Sequence, residues 1–232
     1  MNESHPFVFF GTGPLAESVL ASLVRNGYTP SLIITKPDAH VGRHGTLSAP
    51  HIKVWAEMKG IKVYQPETLK DLPENSPLLT QKFSFFVVAS YGKILPEKVL
   101  DLAERGTLNV HPSLLPLYRG PSPIESALLS GQKNIGVSIM KLDKEVDHGP
   151  ILVQGSVPVE SEDTAGTIEV KAGMEGGALL TQVLEHYLTG TLIPKEQDHS
   201  AASFCQKIEK EMGVFPRFSY FSPASCNQSG VN

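Results

Sequence analysis

The sequence predicts an α/β fold, a doubly wound and mostly parallel sheet, and three observations predict it. Phe7-Val8-Phe9-Phe10 is a short apolar run that ends at Gly11-Thr12-Gly13, as a buried strand turning into a helix does. Phe85-Phe86-Val87-Val88-Ala89-Ser90 is the most apolar run in the chain, which reads as a central strand covered on both faces. Strand and helix patterns alternate from the first run to His111, and that alternation calls for parallel strands joined by right-handed crossovers.

Each element follows from a local pattern. Pro14 suits a first helical position, and Leu15, Val19, Leu20, Leu23 and Val24 form one stripe that stops at Gly27. Leu32 to Thr35 is the second strand, ended by Lys36-Pro37-Asp38. Residues 39–50 read as a loop, 51–59 as a helix stopped by Gly60, and 61–64 as a short strand. A helix is expected from Pro96 to Arg105 with Gly106 as its stop, then a strand from Thr107 to His111. Ser122-Pro123-Ile124-Glu125 has the residues of a capping box. Gly136 to Leu142 and Ile151 to Val159 read as strands, possible as an antiparallel pair. Residues 164–190 read as a helix weakened by Gly173, Gly176 and Gly177. The segment from Gly213 to Asn232 carries one charge, Arg217, and reads as a loosely ordered tail.

Composition narrows the function. The 232 residues, 41% hydrophobic with 20 Gly and 18 Pro, suit one globular domain with a short appendage. No apolar run is long enough for a transmembrane helix, and Met1 to His5 lacks a signal-peptide start. Cys205 and Cys226 are too few for a disulfide framework or a four-ligand zinc site. A net charge of −4 excludes a general polyanion binder. Residues 36–62 nevertheless hold five cations against two acids, and fit either a solvated surface or a contact with a phosphate-bearing partner.

Most motifs have plain structural explanations. Gly11-Thr12-Gly13-Pro14-Leu15-Ala16 fits a dinucleotide-binding pattern, yet Pro14 removes an amide that a pyrophosphate needs. Asp38, behind Lys36-Pro37, is the one acid available for a ribose. A tight strand-to-helix turn accounts for the same glycines. His40, His44 and His51 match no tetrahedral spacing, so no metal is expected. There is no Ser-centred nucleophile elbow. Cys205 falls in a polar segment read as helical, without a His partner.

Two clusters carry chemistry. In Asn109-Val110-His111-Pro112-Ser113-Leu114-Leu115-Pro116, alternation along a strand points Asn109 and His111 the same way and Val110 into the core. Pro112 and Pro116 stiffen a loop that holds Leu114 and Leu115 away from regular structure. Such a loop can wall a flat apolar ligand while the strand end offers it an amide and an imidazole. The same two groups also suit ordinary structural hydrogen bonds. Lys141 to Pro150 is an acidic turn, from which Asp147 could orient and charge His111 or relay a proton. A solvated hairpin tip explains that turn equally well.

At these residues the sequence resembles the 10-formyltetrahydrofolate-dependent formyltransferases, most closely their methionyl-tRNA branch. The motifs that carry the resemblance are Thr35-Lys36-Pro37-Asp38 with Gly42-Arg43, Val87 to Pro96, and Asn109 to Pro116. Further on, Arg119 to Ile124 and Val137 to Met140 lead to Asp147-His148-Gly149-Pro150. The resemblance implies a Rossmann-like fold and a catalytic trio of Asn109, His111 and Asp147. It implies a folate loop at Ser113, Leu114, Leu115 and Pro116, and a pterin-wrapping segment with Ser90, Tyr91, Gly92 and Ile94. Arg43 sits where the family has a basic loop against the tRNA acceptor end. The implied co-substrate is 10-formyltetrahydrofolate and the implied partners are charged initiator tRNA and folate, while the composition, without a membrane segment or signal peptide, points to the cytoplasm.

Formyl transfer passes through a tetrahedral oxyanion, which Asn109 and a protonated His111 could stabilise while Asp147 gives the amine proton a route. The expected division is a catalytic domain over 1–212 and a tail over 213–232. Two features depart from the family pattern. His148 follows the catalytic Asp where a small or hydroxyl residue is usual, and the family's second, β-barrel domain has no counterpart in these residues. The alternatives are a formyltransferase for an amino sugar nucleotide or glycinamide ribonucleotide, a non-catalytic folate binder, or a dinucleotide-binding module.

Overall fold

The computed structural model describes residues 5–41 and 45–208. The first half of the chain runs through β1 (Phe7–Gly11), α1 (Pro14–Arg25), β2 (Leu32–Ile34), β3 (Ala39–Val41), β4 (Thr46–Ser48), α2 (His51–Met58), β5 (Val63–Tyr64) and β6 (Phe85–Ala89). It continues through α3 (Glu97–Leu100), β7 (Thr107–His111), α4 (Pro123–Leu129), β8 (Asn134–Lys141), β9 (Ile151–Pro158) and α5 (Ala165–Leu188). Among the described residues, seven strands form one sheet in the order β5-β2-β1-β6-β7-β8-β9. Pairing is parallel from β5 to β7 and antiparallel from β7 to β9. The mostly parallel α/β fold read from the sequence is therefore the fold observed.

Alternation along the strands builds two apolar layers. Phe7 and Phe9 of β1 and Phe85, Val87 and Ala89 of β6 join one cluster with α1, α2, α4 and α5. Val8 and Phe10, with Phe86 and Val88, join the other, which Leu69, Leu78, Phe83 and Val99 complete. Strands buried on both faces need apolar residues at every position, and this explains the unbroken runs. At about 2–3 kcal/mol for each fully buried Phe, these runs are a main source of stability.

Several local expectations are corrected. Residues 39–50 contain an antiparallel pair, β3 with β4, in which His40 pairs with Leu47; strands of three residues are too short to leave a periodic signal. The helix expected over 96–105 is regular only over Glu97–Leu100, because the following residues turn back so that the Arg105 amide can donate to the Ser84 carbonyl. Ser122 precedes α4 but its side chain makes no cap bond; its hydroxyl accepts from the Ile208 amide instead. The segment around Cys205 is extended rather than helical, bridging Arg119 to Phe204.

The glycines of α5 are contact points rather than weaknesses. A Cβ at Gly173 would stand 2.6 Å from the Leu15 carbonyl oxygen, and one at Gly176 would run into a Val110 methyl. Any larger residue would push α5 off α1 and off the back of β7, the strand whose front face carries Asn109 and His111. Among the described residues, no helix is long and apolar enough to cross a membrane.

Candidate active site

The chain places β6 and β7 side by side, with Val88 opposite Asn109. Val110 packs on α5 in the first apolar layer, so Asn109 and His111 project from the opposite face. This face lies where the sheet changes from parallel to antiparallel, with Asn109 opposite Met140 and His111 opposite Ser138. The segments after β6 and β7 both leave the C-terminal edge of the parallel strands, where open α/β sheets hold ligands.

Three side chains meet there. Asn109 Nδ2 donates to Asp147 Oδ1 at 3.4 Å. His111 Nδ1 stands 3.6 Å from Asp147 Oδ2. His111 Nε2 donates to the Tyr118 carbonyl at 2.9 Å. A carbonyl accepts only, so Nε2 carries a proton and Nδ1 is the nitrogen free to gain or lose one. Asp147 adopts a left-handed backbone, φ 49°, a conformation that persists in a non-glycine residue only where its surroundings hold it. One of those holds is the Gly120 amide, which donates to Asp147 Oδ2 at 2.8 Å. Gly120 has φ 113°, and a Cβ there would meet the Cys205 carbonyl oxygen at 2.6 Å.

The loop after His111 is pinned to the neighbouring strands. Ser138 Oγ donates to the Ser113 carbonyl (2.6 Å) and accepts from the Leu115 amide (3.1 Å). Gln154 Nε2 donates to the Leu115 carbonyl (3.0 Å), and Ser113 Oγ donates to the Leu117 carbonyl (2.6 Å). Ser113 and Leu115 are thereby buried, Pro116 is half-buried, and Leu114 is exposed. In the segment after β6, Ser90 (φ 46°) and Gly92 (φ 71°) turn the chain outward, and Ile94 is 85% exposed. The Tyr91 ring is buried instead, edge-on to Phe10 at 5.6 Å between centroids. Arg43 lies outside the described residues, as does the tail from Gly213.

His148, beside Asp147, points away from the trio. Its Nδ1 donates to Asp143 at 2.7 Å and its ring stacks on His199 at 3.9 Å. Burial pushes the Cys205 thiol above its ordinary pKa, so it is a poor nucleophile. A cavity of about 70 Å³ behind the loop is lined by Ser113, Tyr118, Gln132 and Gly136. A larger one of about 430 Å³ lies against Glu17, Arg25, Trp55 and Met174. Asn109, His111 and Asp147 line neither. Among the described residues no three His, Cys, Asp or Glu side chains converge as metal ligands.

Gly120, Ser138 and Gln154 were not singled out by sequence reasoning, although Gly120 and Ser138 fall inside the quoted motifs. Their roles arise from contacts that local patterns do not encode.

The geometry can be set beside known proteins. A family model described as formyl transferase matches residues 6–184. The methionyl-tRNA formyltransferase of Herpetosiphon aurantiacus is 42% identical over 207 residues, which are 89% of this chain and 68% of that protein. That of Caldanaerobacter subterraneus is 41% identical, covering 89% and 67%. Among solved structures, a phosphoribosylglycinamide formyltransferase from Bacillus halodurans has a TM-score of 0.63 at 24% identity, covering 80% of this chain and 96% of that one. A glycinamide ribonucleotide transformylase from Symbiobacterium toebii reaches a TM-score of 0.65 at 19% identity, covering 84% and 94%. These structures share the fold, while the sequence relatives and the family model go further: the chain belongs to the formyl transferase family.

Proposed function

We propose that the chain transfers the formyl group of 10-formyltetrahydrofolate to the amino group of methionyl-tRNA, with residues 1–212 as the catalytic domain. The observation that carries this reading is the meeting of Asn109, His111 and Asp147 on one sheet face in a chain about 40% identical to methionyl-tRNA formyltransferases. Identity at that level along most of the chain favours the tRNA acceptor over an amino sugar nucleotide or a glycinamide ribonucleotide.

The residues present fit a folate. Ile94 and Leu114, in the segments that follow β6 and β7, offer exposed apolar surface, matching a ligand with a flat ring system and a polar reacting end. Ser90, Gly92 and Ile94 would hold the ring from one side and Ser113, Leu114, Leu115 and Pro116 from the other, with Tyr91 supporting the first segment from beneath. A bound folate would supply the formyl group, and its N10 would take up the proton that Asp147 accepts from the amine, so that the leaving nitrogen departs neutral.

The rest falls to the protein. Asn109 Nδ2 and a protonated His111 Nδ1 donate to the formyl oxygen as the amine attacks and charge develops there. Asp147 balances the imidazolium and accepts the proton that the amine must lose. Arg43 is assigned to the tRNA side.

Formylation of methionyl-tRNA by the full chain tests this reading, with glycinamide ribonucleotide and an amino sugar nucleotide as competing acceptors. Asn109→Ala should lower kcat by about 10²–10³ and His111→Ala by about 10²–10⁴, as for a lost oxyanion donor or general acid–base group. Folate binding should change much less. Formylation of a small amine but not of the tRNA would reassign the acceptor. Near-normal turnover in either variant would remove the trio from the chemistry.

A further inference from the structure

Gln197 lies in the segment after α5, far from the trio in sequence, and is buried. Its amide is fully engaged. Oε1 accepts two bonds from Arg119, from Nε at 3.2 Å and from Nη2 at 2.6 Å. Nε2 donates to the Asp147 carbonyl at 2.9 Å and to the Gly149 carbonyl at 2.7 Å. The orientation is forced, because a guanidinium can only donate and a carbonyl can only accept. Arg119 is itself 4% exposed. Among the described residues it makes no ion pair; it donates also to His199 Nδ1 at 2.9 Å and lies 5.9 Å over the Phe204 ring.

A buried cation without a carboxylate partner is costly to keep. What this one does is fix the direction of one amide, and that amide holds both carbonyls flanking the turn at Asp147. The residue after Arg119 holds the Asp147 carboxylate directly, through the Gly120 amide. The left-handed Asp147 is thus gripped at its carboxylate and at its backbone by one short segment, once directly and once through Gln197.

We infer that Gln197, oriented by Arg119, is a positioning residue for formyl transfer: it holds the Asp147 turn so that the carboxylate faces Asn109 and His111. This rests on the catalytic roles given to the trio above. Gln197 need not touch either substrate, so its loss should act on turnover and leave substrate binding alone.

Gln197→Glu is the informative variant. A carboxylate keeps the size of the side chain and its acceptor bonds from Arg119, but it places an oxygen where two donated bonds were. The turn should release. The full-length variant should show kcat for methionyl-tRNA formylation reduced at least tenfold, with KM for 10-formyltetrahydrofolate and for tRNA within about threefold, as expected when an interaction is used only in the transition state.

The second measurement is the crystal structure of the variant without substrates. The Asp147 carboxylate should leave the Gly120 amide and Asn109, which it meets at 2.8 Å and 3.4 Å in the wild type. An unchanged kcat in an active enzyme would overturn the inference and leave the proposed function standing, as would an Asp147 carboxylate found in its wild-type place. If the wild type formylates no amine, the proposed function fails, and the structure of the variant still decides whether Gln197 positions Asp147. Should Gln197→Glu not fold, Gln197→Met, of similar length and without donors, is expected to give the same two results.

Discussion

Tyr91 shows how one residue can belong to a binding segment without offering its side chain to the ligand. Burial pushes its hydroxyl up to a pKa of about 12, and among the described residues the oxygen has no hydrogen-bond partner. A buried hydroxyl without a partner costs about 1–3 kcal/mol. Tyr91→Phe removes that oxygen and keeps the ring against Phe10, so it should stabilise the protein by about 1 kcal/mol. A shift of the denaturant midpoint at constant m would report the gain. Folate affinity should not change, and a tenfold loss of it would place the hydroxyl on the ligand. The pairing of Asn109 with His111 was legible because strand alternation alone puts them on one side. The acidic turn 141–150 already offered Asp147 as a partner for His111, and the formyltransferase motifs singled it out, since no local pattern joins it to a residue 38 positions earlier. Gln197 and Arg119 were not legible as a pair: 78 residues separate them, and a lone Gln after a helix has no periodic or charge signature.

Among the elements, α5 depends on its start. Thr164 and Thr167 form a reciprocal capping box, each side chain accepting from the other's backbone amide. Asp163 sits just before it and is held down to a pKa of about 2, first by the hydrogen bond from Lys171, then by those from the Glu160 amide and the Thr167 hydroxyl. A carboxyl depressed in the folded state stabilises above its unfolded pKa, near 3.9, and loses that contribution as pH falls through its folded value. Asp163→Asn should therefore melt at lower temperature than wild type at pH 7, and the difference should close between about pH 4 and pH 2. Melting curves across that range test it, and a constant difference would assign the effect to packing. The strands of the sheet were readable because burial on both faces demands continuous apolar runs. The β3–β4 pair was not, since strands of three residues are too short to leave a periodic signal and β4 is mostly exposed. The short α3 was overestimated because its apolar spacing continues into Leu102 and Ala103, which pack without helical geometry.

At the scale of the molecule, the mixed sheet and its two apolar layers were legible from the order of elements, and the clamp on the Asp147 turn was not, because it joins segments brought together only by the finished fold. Charge at this scale sets the last expectation. The chain is net −4 and should repel a polyanion at long range, so binding of a tRNA must rest on local cations. The cation-rich stretch 36–62 supplies Lys36, Arg43, Lys53, Lys59 and Lys62. Lys53 is already paired with Asp38 at 2.8 Å, and that carboxyl is held below its ordinary pKa by hydrogen bonds from Lys53 and Gln65. The contacts left for phosphates are few. Each contact contributes about 0.7–0.9 to the slope of log affinity against log salt. KM for methionyl-tRNA should thus climb with salt at a slope of a few contacts, and KM for 10-formyltetrahydrofolate should climb by less than one. Arg43→Ala should lower the tRNA slope by about one contact and leave the folate slope as it was. Both constants, measured for wild type and Arg43→Ala from 50 to 200 mM salt, decide the matter: equal salt responses for the two substrates, or an unchanged slope in Arg43→Ala, would move the tRNA contact elsewhere on the surface.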